Sequence, residues 1–165
     1  MNKRILDLPL YLQGTKTSWC VPYSFLGIAH YYMLPITKKE MIRACRAHKS
    51  EGSYTNIELT KRLRKIGLNL KRIKFDYKNI RKTLKNNNPV VVSYLIGNTC
   101  AHFSTIIGCW KDNRGIRYCL LNDTYYGKYT IPMAILEYLM YLCGFGLGKW
   151  ARIVEPIKNF DGIIL

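Results

Sequence analysis

The chain has 165 residues, 48% of them hydrophobic, with 13 Tyr and three Trp. That is enough apolar material for a packed core without metal or disulfide staples, and it excludes a disordered tail. A formal charge of +16 from 26 Lys/Arg and ten Asp/Glu gives a field that attracts anions such as nucleic acid, acidic protein or an anionic membrane surface.

One domain over residues 1–165 is expected, with a helical half at about 13–88 and a sheet half at about 89–157. Asp7 and Pro9 interrupt the N-terminal apolar stretch, which makes it a poor signal peptide. The longest apolar window, around residues 131–147, contains Glu137 and several Gly, so no transmembrane span is expected. Six cysteines at positions 20, 45, 100, 109, 119 and 143 show no CxxC pair. They read as mostly reduced thiols of a cytoplasmic protein.

In chain order, residues 1–12 read as a strand or arm with Leu8, Leu10 and Leu12 alternating, and Gly14 to Ser18 as a polar turn. From Val21 a helix runs to Met33 with almost no polar face, the pattern of a helix buried on all sides. Pro22 fits such a helix only in its first turn. Cys20 therefore sits at the helix N-terminus, where unpaired N–H groups and the macrodipole favour an anion such as a thiolate. The plainer reading is one more buried small residue.

Thr37 with Glu40 forms a capping box for a second helix to about Ala47, and Thr55 with Glu58 does so for a third. The third helix has Leu59, Leu63 and Ile66 inside, Lys61, Arg62 and Lys65 outside, and Gly67 as its stop. Leu68 to Phe75 alternates like an exposed strand, and Asp76 caps a short fourth helix through Leu84. Val90–Ile96, His102–Trp110 and Ile116–Leu121 then read as strands, the last two joined by a turn at Asp112–Gly115. Ile131-Pro132 reads as the start of a helix through Leu142, and Trp150–Val154 as a last strand. Helices followed by antiparallel sheet define an α+β class.

Folding the hairpin about Asn113-Arg114 pairs Cys109 with Cys119 and brings His102 to within about three residues of Asp123 across the ladder. The carboxylate can fix one imidazole nitrogen and leave the other to take a proton from a thiol. Asn122 competes for that orienting role. Gln13, just before Cys20, is placed to donate to an oxyanion.

Gln13, Cys20 opening an apolar helix, Pro89-Val-Val-Val, His102-Phe-Ser-Thr-Ile-Ile-Gly108 and Leu121-Asn-Asp-Thr together resemble the papain-like cysteine peptidases. The closer likeness is to the bacteriocin-processing, double-glycine-leader peptidases and their stand-alone relatives, over roughly Leu8 to Val154. The resemblance implies a papain-like fold with a helical subdomain packed on an antiparallel sheet. It implies Cys20 as nucleophile, His102 as general base and acid, Asp123 as orienter, and Gln13 with the Cys20 N–H as oxyanion hole. Against the family pattern, Val21 replaces a Gly, Gln13 stands one residue further from the cysteine, and Thr124 replaces a Pro.

The implied activity is that of a cysteine peptidase or related amide hydrolase or acyltransferase acting on a peptide or protein, with no cofactor and no metal. Small residues such as Gly would then precede the cleaved bond. The alternative is an inactive papain-like domain that binds an anionic partner through residues 38–85, which hold 16 Lys/Arg against four acids with Tyr54, Phe75 and Tyr77 interleaved. A merely solvated basic face also fits. Cys45 and His48 share a helix at ligand spacing, but two ligands do not close a zinc site. Cys109 and Cys119 fit either packed thiols or a disulfide formed on meeting an oxidant. Cys100 reads as a loop residue, His30 as a core-edge histidine bonded to backbone, and Tyr125-Tyr126-Gly127 as cleft lining or sheet cover.

Overall fold

A computed structural model describes residues 3–14, 19–45, 56–97, 100–143 and 150–158. The elements are α1 (Cys20–Tyr31), α2 (Lys38–Ala44), α3 (Asn56–Arg64), β1 (Leu68–Arg72), α4 (Tyr77–Lys85), β2 (Val90–Ile96), β3 (Cys100–Lys111), β4 (Arg117–Asp123), β5 (Gly127–Pro132), α5 (Met133–Cys143) and β6 (Ala151–Pro156). All the strand pairs are antiparallel, in the order β1-β6-β2-β3-β4-β5. This is the α+β arrangement expected from the change of hydrophobic period at Val90.

The helix caps follow the sequence. Thr37 and Glu40 form a reciprocal capping box on α2, and the Asp76 carboxylate accepts from the Asn79 N–H at 2.8 Å to start α4. Each such cap contributes about 1 kcal/mol. Gly67, at φ 86°, closes the segment after α3 as only a residue without Cβ does easily. Thr55, Tyr54 and His48 lie outside the described residues.

α1 is the core's central helix: every residue from Cys20 to Ala29 is buried. Phe25 and Ile28 are wholly enclosed by the surrounding apolar side chains. The N-terminal arm is extended but forms no full strand. It bridges to β3 at Ile5–Gly108, with the Leu6 N–H bonded to the Ile107 carbonyl at 2.8 Å. Leu6 and Leu8 point inward, whereas Leu12 is exposed, so the alternation expected of residues 8–12 breaks before Gln13. The arm passes so close to α1 that a Cβ on Gly27 would lie 2.7 Å from the Pro9 carbonyl oxygen. Glycine is thus required there by contact rather than by backbone angle.

Three sequence expectations need correction. Residues 127–132, whose Ile131-Pro132 end reads as a helix start, form strand β5 against β4. Gly127 at φ 81° closes a turn that returns the chain, and Pro132 is tolerated because it ends an edge strand. Leu68–Arg72, counted with the helical half, pairs with β6 and completes the sheet's other edge. Cys100 opens β3 instead of lying in a loop.

Candidate active site

Cys20 is the first residue of α1 and Pro22 the third, so the ring sits where it removes no helix hydrogen bond. Trp19 precedes it as N-cap residue with no side-chain cap bond. The first-turn N–H groups therefore remain directed out of the helix end beside the sulfur. Ser24 fastens this end of α1 to the sheet, its hydroxyl donating 3.3 Å to the carbonyl of Phe103, next to His102.

On the sheet, Ser104 pairs with Asp123 across β3 and β4, and the register slips by one residue between Ile106 and Gly108. That bulge is decisive. Counting back from the Cys109–Cys119 pair without it would set residue 105 opposite Asp123 and put His102 on the other face. With Ile107 as the extra residue, His102 and Asp123 share a face. Their side chains meet at 2.8 Å between His102 Nε2 and Asp123 Oδ2.

Asp123 is completely buried and both of its oxygens are occupied. Oδ2 also accepts from the Tyr94 hydroxyl at 2.6 Å, which in turn accepts from the Tyr129 hydroxyl at 2.7 Å. Oδ1 accepts from the backbone N–H groups of Tyr125 and Tyr126 at 2.8 and 2.9 Å. Burial alone would raise this carboxyl, but the hydrogen bond and charge of His102, then Tyr94 and the Tyr126 N–H, bring it down to about 2. Burial and the neighbouring carboxylate push Tyr94 far up, so its phenol stays a donor.

With Nε2 committed to Asp123, Nδ1 is the nitrogen left to the sulfur. Burial disfavours the imidazolium, yet hydrogen bonds to Asp123 and Cys20 and the charges of both raise His102 to about 9. Carboxylate and imidazole are thus hydrogen-bonded, with the Cys20 thiol next in the row, an order of groups along which a proton can pass from sulfur to ring.

This row predicts a pH dependence of stability. His102 is raised from 6.5, so its contribution is full below about pH 6.5 and lost as pH climbs through about 9. Asp123 is lowered from 3.8, so its contribution is full above about pH 4 and lost as pH falls through about 2. Unfolding free energies from urea titrations near pH 6 and near pH 9.5 should differ by on the order of 2–3 kcal/mol. His102→Gln should abolish most of that difference, and an unchanged difference would contradict the assignment.

Gln13 is buried and joins this group through Thr124. Its N–H donates 2.8 Å to the Thr124 carbonyl, and the Thr124 hydroxyl donates 2.7 Å to Gln13 Oε1. Asn122, the competing orienter, lies on the opposite face from Asp123, its amide donating 3.1 Å to the Pro9 carbonyl. Asn122 thus anchors the arm that leads to Gln13. Tyr94, absent from the sequence reading, pairs directly with His102 across β2 and β3. A register drawn through the hairpin and one strand further would have found it.

The remaining sequence candidates are placed as follows. His30 bonds the Ile36 carbonyl through Nε2 at 2.7 Å and the Tyr11 hydroxyl through Nδ1 at 2.5 Å. Cys45 is buried with its sulfur 3.9 Å from Met41 Sδ. The Tyr125 and Tyr126 rings are exposed, 54% and 57%, while their backbone grips Asp123. Among the described residues no helix is long and apolar enough to cross a membrane.

The mixed helix and antiparallel-sheet architecture, with a cysteine helix set against a His/Asp hairpin, defines the papain-like fold of the cysteine peptidase-type hydrolases. The chain belongs to the Peptidase_C39 like family, whose sequence profile matches residues 5–142, a span that includes Gln13, Cys20, His102 and Asp123. The fold is similar to the crystal structure of a double glycine motif protease from an AMS/PCAT transporter in complex with the leader peptide. The TM-score is 0.60 at 19% identity, over 92% of this chain and 94% of that one. No curated protein matches the sequence.

Proposed function

We propose that the chain is a peptidase in which Cys20 attacks a peptide carbonyl, His102 serves as base and then acid, and Asp123 fixes the imidazole. The observation that carries this reading is His102 held between Asp123 Oδ2 and the Cys20 sulfur. The thiolate adds to the carbonyl carbon, and His102 protonates the departing amine. Water, deprotonated by the same imidazole, then releases the acyl group from sulfur. Transfer to an amine uses the same groups.

The oxyanion is received by the Cys20 N–H and the Gln13 amide. Thr124 supports this role, since its hydroxyl donates to Gln13 Oε1 and so holds the amide in place beside Asp123. The family's Pro has no hydroxyl to do this. Gln13→Ala should lower kcat by about 100-fold to 1,000-fold. Thr124→Val should lower it by about tenfold with KM little changed, and Thr124→Ser should restore it. Steady-state kinetics decide, and an effect confined to KM would remove both residues from the oxyanion role.

The relative bound to a leader peptide directs the choice of substrate. A peptide with a Gly-Gly pair before the scissile bond, followed by mass spectrometry with and without hydroxylamine, tests cleavage and acyl transfer together. No cleavage and no hydroxamate, with folded protein, would overturn the proposal.

A second reading rests on the exposed cations in and just after α3, in β1 and in α4, such as Lys61, Lys65, Arg72, Lys78 and Lys82. They would draw an anionic partner to the protein. Phe75 is buried and Tyr54 lies outside the described residues, so the reading stands on charge, not on base stacking. Elution from heparin over a salt gradient, compared with Lys61→Gln/Lys65→Gln/Lys78→Gln, tests it.

A further inference from the structure

The β3–β4 hairpin carries a second pair of chemically active side chains, at the end away from His102. Cys109 and Cys119 stand directly opposite each other in the ladder. Both side chains lie on the same face of the ladder, and both residues are buried. Opposite residues of an antiparallel pair hold their Cα atoms roughly 4.5–5.5 Å apart, inside the span a disulfide bridges.

Cys109 also lines an open cavity of about 450 Å³. Lys3, Arg81, Lys111 and Arg114 contribute cations to its wall, and Asp112 is the one carboxylate among the lining residues. Asp112 Oδ1 is engaged by the hairpin's own Arg114 and Ile116 N–H groups, at 3.0 and 2.8 Å. The guanidinium groups of Arg81 and Arg117 lie 5.9 and 5.2 Å from the ring of Tyr77, which lines the same cavity. A thiol beside a cation-rich opening, with a second thiol against it, is the layout of an attacking and a resolving cysteine.

We propose that Cys109 and Cys119 form a redox-active dithiol that exchanges with small anionic disulfides of the glutathione class entering through this cavity. The Cys109 thiolate attacks one sulfur of glutathione disulfide. The Cys109–glutathione bond forms, the original S–S bond breaks, and one glutathione thiolate leaves and is protonated by water. Cys119 loses its proton to water and attacks the Cys109 sulfur, forming the Cys109–Cys119 disulfide and releasing the second glutathione. The protein dithiol is oxidised by two electrons and one glutathione disulfide is reduced to two thiols.

The roles follow from position: Cys109 lines the cavity, whereas Cys119 is wholly buried behind it. In keeping with this, the neighbouring Cys119 lowers the Cys109 thiol, and against burial the charges of Arg81 and Arg117 lower it too. The Cys109 partner and burial push Cys119 up. The pair stands apart from the peptidase reading and does not depend on it.

The test is oxidation of the full-length protein by glutathione disulfide, with peptide mapping of every cysteine over time. The first protein disulfide should link Cys109 to Cys119, ahead of any change at buried Cys45. Cys119→Ser and Cys119→Ala should each trap glutathione on Cys109, while Cys109→Ser should leave Cys119 unmodified. Arg81→Gln combined with Arg117→Gln should slow the reaction about tenfold, and should change the rate with neutral 2-hydroxyethyl disulfide far less. Modification of Cys45 before Cys109 in the wild type, absence of the trapped species in both Cys119 variants, or equal slowing with both reagents overturns the proposal.

Discussion

Asp123→Asn should lower kcat by on the order of 10³-fold to 10⁴-fold while the protein stays folded. The reason lies in which end of the new amide faces His102. Oδ1 receives two backbone donors, from Tyr125 and Tyr126, and only an oxygen can satisfy both. The asparagine oxygen is therefore held there, and its NH2 replaces Oδ2. His102 Nε2 then meets a donor where it had an acceptor, so the ring's proton moves to Nδ1, the nitrogen that faces Cys20. A protonated Nδ1 on a neutral ring takes no proton from a thiol. The Tyr94 hydroxyl loses its acceptor at the same time. Kinetics on a Gly-Gly leader peptide, with circular dichroism as the check on folding, would read this out, and near-native turnover would refute the role given to Asp123.

A larger loss is expected from Cys20→Ala, about 10⁶-fold in kcat, which leaves only background hydrolysis. Cys45 cannot stand in for the thiolate, because it is wholly buried and its thiol is pushed far up by desolvation. The substitution removes a single heavy atom from a site at the rim of the core, and stability should change by only about 1 kcal/mol. Alkylation by iodoacetamide gives a readout free of any substrate. Cys20 should be the fastest-reacting cysteine in the wild type and should lose that advantage in His102→Ala. Indifference of Cys20 to the histidine would show that the two do not act as a pair.

The local signals that sequence carries best were those written in a single segment. The all-apolar run with Pro22 in its first turn is α1, the Thr37/Glu40 spacing is a capping box, and Val90–Ile96 is β2 residue for residue. The Asp112–Gly115 turn set the Cys109–Cys119 pairing correctly. What escaped was information held between segments. The neighbourhood of His102 and Asp123 was legible, yet the bulge that gives them a common face is one extra residue with no marked pattern beyond Gly108. In β3, an added Cβ at Gly108 would crowd Leu120 and Ile5, at 3.2 and 3.3 Å. Strand β5 escaped because Ile131-Pro132 looks like a helix entry, and six residues at a sheet edge offer little alternation to set against it. Tyr94 and Thr124 escaped because each matters through a side chain brought to it by tertiary structure.

The N-terminal arm has a further consequence for how this chain comes into being. Gln13 is bonded to a residue 111 positions later, Ser24 to one 79 later and Tyr94 to one 29 later. Contacts of such long range form late in folding, after much loop-closure entropy has been overcome. During synthesis the arm and the thiol emerge before His102 and Asp123, the residues proposed to arm that thiol. On the proposed mechanism an unfinished or partly unfolded chain carries the sulfur without the means to use it, so proteolytic competence would itself report that the strand-to-arm contact at Gln13 and Thr124 has closed.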